Sequence, residues 1–155
     1  MEYKVKLLLD TDILMDYDDI QIDRDYNSIY ADDKIYLRLI TEGKKAKGTC
    51  VNYATKQYKL EYVEDILPYL HDNYLQIPIS ELKRGDLAIF YYVDKDYGDK
   101  LTEYNIEHLA KVFKTDRTLN GTYIRSKWGE NGVFETNLYT LPDVYGNKVS
   151  FWRKK

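Results

Sequence analysis

The stretch Leu87 to Val93, LAIFYYV, is apolar at every position and follows the polar turn Lys83 to Asp86. A short run with no polar face has to be covered on both sides, so it reads as a buried strand. Its surroundings agree with a sheet. EHLAKVFKT sets Leu109, Lys111 and Phe113 against His108, Ala110 and Val112, the period of two that belongs to a strand with two distinct faces. The segment LNG (119–121) then makes a hairpin turn, TYIRSKWG returns as the next strand, and KVSFWRKK closes as a last one. Near the start, YKVKLLL is a further strand candidate by its β-branched and aliphatic content.

The first half reads differently. DKIYLRLITEGKKAKG predicts a helix closed by Gly43 and followed by a basic loop. Thr49 is a suitable N-cap for a second helix, in which Val51, Ala54, Tyr58 and Tyr62 recur at helical spacing. YVEDILPYLHDNY predicts a third, bent or restarted at Pro68. Helices first and an antiparallel sheet afterwards make an α+β domain. A chain of 155 residues, 44% apolar and 32% charged, suffices for one globular domain with a sizeable core.

Composition narrows the function classes. A net charge of -3 argues mildly against a general nucleic-acid binder, which usually carries a basic surplus. One cysteine excludes an internal disulfide and a cysteine-rich zinc site. The apolar run Val5 to Leu9 is too short for a signal-peptide core or a bilayer span, so no membrane association is expected and the default address is cytoplasmic. Asp10, Asp12, Asp16, Asp18 and Asp19 resemble the acidic openings of PIN-type nucleases and nucleoside hydrolases. They lack the glycine of a calcium loop, and a solvated acidic surface is the simpler reading. The run KKAK is likewise a solvated loop that would favour an acidic partner.

The sole cysteine lies in KGTCVNYATK, where a Gly-Thr step leads into a helix-like run. A thiol at a helix N-terminus is where a thiolate forms most easily. A lone cysteine is equally a small hydrophobe for a core, so a base has to be found. His71 sits in a polar stretch and reads as a solvated surface histidine, whereas His108 opens a strand after a polar loop. If the Cys50 helix packs on the face of that strand, thiol and imidazole can meet as nucleophile and general base.

GTCVNYA, ELKRGDLAIFYY and HLAKVF, in this order, resemble the papain-like fold in its bacterial NlpC and CHAP versions, which are peptidoglycan peptidases and amidases. The resemblance covers roughly Gly48 to Trp128, and GTCVNYA also resembles the nucleophile segment of transglutaminase-like proteins. It implies a single papain-like domain over 1–155, with a variable N-terminal segment over 1–47 and a catalytic core over 48–155, its N-terminal helices packed on a small antiparallel sheet. It also implies a cysteine peptidase or amidase that cleaves an amide bond in a peptide or a peptidoglycan-like substrate through a thioester. In that scheme Cys50 attacks, His108 carries the proton, Ser126 orients the imidazole, and neither metal nor cofactor is needed. The acid that usually precedes the nucleophile is Thr49 here, and Arg125, Ser126, Lys127 and Glu130 are the polar residues offered where the third member belongs. Trp128 and Gly129 are expected to pack. The alternative is a catalytically degenerate module that binds a protein partner as inhibitor, immunity factor or effector, for which seventeen tyrosines would suit a contact surface.

Overall fold

The structure is a computed structural model that describes residues 1–10, 35–43, 48–57, 60, 66–96, 98 and 100–155. Eight strands form one sheet: β1 (Glu2–Lys4), β2 (Leu37–Glu42), β3 (Tyr74–Ile77), β4 (Leu87–Tyr91), β5 (Ile106–Thr115), β6 (Thr122–Lys127), β7 (Gly132–Asn137) and β8 (Lys148–Lys154). Their order is β1-β8-β4-β5-β6-β7-β2, with β3 also paired to β8, and each of these pairings is antiparallel. Among the described residues there are two α-helices, α1 (Cys50–Thr55) and α2 (Ile66–Asn73), six and eight residues long.

This architecture corrects the expected papain-like α+β fold with N-terminal helices packed on a small sheet. The sheet is the body of the molecule and the helices are short pieces against it. The helix predicted over DKIYLRLITEG is β2 over its described residues, where Leu37 pairs with Thr136 and Glu42 with Gly132 across a bulge. Helix α1 does begin at Cys50, but it stops at Thr55 because Lys56 takes the left-handed conformation and returns its N–H to the Asn52 carbonyl at 2.8 Å. Tyr58 and Tyr62 lie outside the described residues. Pro68 is the third residue of α2 as described over Ile66–Asn73.

All five residues of β4 are buried, as an apolar run without a polar face requires. Ala88 and Phe90 face a cluster completed by Ala110, Val112, Ile124 and Phe134 on the neighbouring strands. Leu87 and Ile89 face the other way, with Leu109 and Trp152, and are covered by Val51 and Ala54 of α1 and Ile66 and Leu70 of α2. No helix among the described residues is long and apolar enough to cross a membrane.

The turn before β4 explains Gly85-Asp86. Asp86 is buried, its Oδ2 accepts the Lys83 N–H at 2.7 Å, and the Arg153 guanidinium grips both carboxylate oxygens at 2.9 and 2.7 Å. One side chain therefore closes the turn and ties it to the end of β8. Asp86→Ala strands the turn N–H and a guanidinium, and is expected to cost about 2 kcal/mol, since bonds to charged groups contribute roughly 1.5–3 each and Arg153 is partly in water. Urea unfolding of the variant measures this, and a loss below about 0.5 kcal/mol would remove Asp86 from the framework.

Candidate functional site

The Gly-Thr-Cys step has a local cause. Gly48 has φ 81°, and a Cβ there would meet the Asn52 side-chain oxygen at 2.6 Å, so glycine alone lets the chain turn into α1. Thr49 and Asn52 then form a reciprocal cap: the Thr49 N–H donates to Asn52 Oδ1 at 2.9 Å and the Asn52 N–H to Thr49 Oγ1 at 3.3 Å. The buried Asn52 amide also donates to the carbonyls of Gln57 and Leu60 at 2.8 and 2.5 Å, holding the chain beyond the helix. Asn52→Ala removes the half of the cap that accepts the Thr49 N–H and takes a donor from both carbonyls, that of Gln57 keeping the Leu60 N–H at 3.3 Å. A loss of about 2 kcal/mol is expected, measurable by thermal unfolding together with faster hydrogen exchange confined to α1.

Cys50 is thereby fixed as the first residue of α1, half-buried and packed against the cluster of Val51, Ala54 and Leu109. Burial pushes its thiol above the ordinary range. The main-chain N–H groups of Leu109, Val51 and Cys50 itself, with the Lys127 ammonium, pull the other way without cancelling the burial. Leu109 is on β5, directly after His108.

His108 is fully enclosed, across from Phe90 in the β4–β5 ladder. Its ring stacks on Tyr145 with centroids 4.0 Å apart and planes 7° from parallel, and lies 6.2 Å from the Phe90 ring. Burial pushes the imidazole down to about 3, and Nε2 is buried with no hydrogen-bond partner among the described residues. His108 shares its face of the sheet with Phe90 and Ala110, whereas Cys50 packs with Leu109 on the face that α1 covers, and among the described residues no hydrogen bond joins His108 Nε2 to the Cys50 sulfur. Tyr145 is stacked on His108, and its phenol is raised by burial first and by the negative charge of a Cys50 thiolate second. Tyr145 is held in turn by Asn147, whose N–H donates to the Tyr91 carbonyl at 3.0 Å and whose side-chain amide exchanges two 2.9 Å bonds with the Val93 backbone.

Ser126 serves a different residue from the one expected. It is buried on β6 and its hydroxyl accepts the Trp128 indole N–H at 3.1 Å. Trp128 packs on Phe134 at 4.4 Å between centroids. His71 is exposed on α2, edge-on to Trp152. Of the acidic opening only Asp10 lies within the described residues, and the KKAK run lies outside them. Tyr145 was invisible in the sequence because it reaches His108 from 37 residues further on, through a turn with no motif of its own. No family model matches this chain, and neither a curated protein nor a solved structure matches it.

Proposed function

We propose that this domain is a thiol-dependent acyl-transfer enzyme that hydrolyses an amide bond in a peptide or peptidoglycan-like substrate, with Cys50 as nucleophile and His108 as the proton carrier. The observation that carries this reading is a half-buried sulfur at the capped start of α1, packed beside Leu109 of β5, where main-chain N–H groups of Leu109, Val51 and Cys50 favour its charged form against the burial that raises it. The same donors would serve a carbonyl oxygen as it becomes an anion. The sulfur adds to the carbonyl carbon as its proton passes to His108. The proton then goes to the amine as the C–N bond breaks, and water releases the acyl group from the thioester.

In the resting state both partners are neutral. Moving a proton from a thiol raised by burial to an imidazole pushed down to about 3 is steeply uphill. A turnover of once per second allows a total barrier of only about 17 kcal/mol. The reading therefore requires substrate entry to open a path from the α1 face to His108 and to bring water or charge to its ring. The same observation favours a second reading, a binding module of the same architecture that does not cut.

Because Cys50 is the only cysteine, intact-mass analysis separates the two. Peptidyl acyloxymethyl ketones should label Cys50 in the native protein, and His108→Ala should slow labelling at least about a hundredfold, the lower end for general base catalysis. Native protein that resists the whole panel, while iodoacetamide labels the unfolded chain, would leave the binding module.

A further inference from the structure

On the face of the sheet that carries α1, a groove of about 230 Å³ is lined by Tyr53, Lys56, Arg84, Lys111, Phe113 and Arg125 among its walls. Four of these six are cations, in a chain whose net charge is -3. Among the described residues no aspartate or glutamate lines the groove. Lys111 and Arg125 are direct partners in the β5–β6 ladder, where like charges face each other across about 5 Å and repel. Arg125 is relieved on its far side by Glu135, at 2.8 Å. Among the described residues Lys111 has no such relief: burial pushes its amine down, and the neighbouring Lys56 and Lys154 push it further.

Two features show the cations being held in place. The guanidiniums of Arg84 and Arg125 lie over the Phe113 ring, 4.7 and 3.8 Å from its centroid. Stacking of this kind orients the planar fork and turns the N–H edge of Arg84 to an anion, while Nε and Nη2 of Arg125 are taken by Glu135. Lys56 occupies the left-handed position that ends α1, φ 58°, where glycine would be cheaper by the steric argument. A lysine at this left-handed helix end gives up the ease that glycine would bring, offset in part by its charge at the C-terminus of α1, and lies among charges of its own sign.

We propose that this groove is a binding site for a compact, multiply charged anion, and that its ligand carries a phosphate monoester or a diphosphate. Charge density decides for phosphate over carboxylate. A phosphate monoester brings about -1.5 to -2 charge with three acceptor oxygens in one small group, whereas carboxylates would have to crowd several groups into the same space. Forked guanidinium edges and lysine point charges are the donors such oxygens take. The site stands apart from the Cys50 reading, so Cys50→Ala should bind as the wild type does.

Titration calorimetry with inorganic pyrophosphate tests this. Binding should be detectable at low salt and weaken as salt rises. Lys56→Gly, Arg84→Gln and Lys111→Gln should each weaken it by about tenfold, as loss of one charge-assisted contact implies. Lys56→Gly should at the same time keep or raise the melting temperature, which separates a ligand contact from a structural role. A tricarboxylate should bind about tenfold less tightly than pyrophosphate. Absence of binding to pyrophosphate, equal affinity for the tricarboxylate, or variants that bind unchanged would each overturn the proposal. So would a single-stranded oligonucleotide that binds more tightly than pyrophosphate, which would turn the groove into a nucleic-acid surface.

Discussion

Gly146→Ala is expected to cost about 4 kcal/mol and to release the Tyr145 ring from His108. Gly146 has φ 126° and ψ -174°, a backbone region open only to glycine, and forcing another residue there costs roughly 1–3 kcal/mol. A Cβ would also lie 2.4 Å from the Tyr91 carbonyl oxygen and 2.7 Å from its carbon, which are main-chain atoms of the central strand and cannot swing aside. Overpacking of that kind adds roughly another 1–3 kcal/mol. The loss would appear as a fall in melting temperature on the order of 10 °C. Gly129→Ala is the control: its φ is 53°, but nothing stands within 4 Å of the added carbon, so strain alone should cost about 1 kcal/mol. If the two variants lost equal stability, the tight approach of the Tyr145–Asn147 segment to β4 would not be what positions Tyr145.

The readable elements of this chain were those whose structure is decided locally. β4, β5 and β6 follow from an apolar run, an alternation and an Asn-Gly turn, each complete within about ten residues. β2 reads as a helix in the sequence because LRLITEG suits a helix end by itself. Its strand state comes from pairing with β7, from Leu37 to Thr136. β7 gave no apolar signal of its own, since three of its six buried residues are Glu135, Thr136 and Asn137. Glu135 is tolerated there only because the Tyr36 hydroxyl and Arg125 both bond its carboxylate.

The candidate site divides in the same way. Gly48 and Thr49 announce a capped helix at Cys50, which the structure contains and completes with Asn52. The use of Ser126 was readable too. Residues two apart on a strand share a face, and a buried indole N–H needs an acceptor. Ser126 with Trp128 and Ser150 with Trp152 repeat one arrangement, with bonds of 3.1 and 2.9 Å. What no local pattern discloses is the enclosure of His108, built from β4, β5 and the distant Tyr145 turn.

That enclosure makes acid stability the sharpest measure of the site. The folded pKa of His108, about 3, lies below the ordinary 6.5. The unfolded chain therefore takes up the proton first as pH falls. Stability from burying the neutral ring is complete above the unfolded value and is lost on descending towards the folded one. Between neutral pH and about pH 4.5 the loss is about 3 kcal/mol, two pH units at 1.36 each. Carboxylates titrate over the same range, so the comparison is with His108→Phe, which keeps an aromatic ring between Phe90 and Tyr145 and removes the proton site. Urea unfolding at both pH values should show the wild type losing about 3 kcal/mol more than this variant. If the two profiles superimpose, the imidazole takes up its proton inside the folded protein. The part of the obstacle to proton transfer from Cys50 that comes from the buried imidazole would then be gone, and with it the main ground for the non-catalytic reading. A full difference would mean that any chemistry at Cys50 must begin by opening the Tyr145 stack.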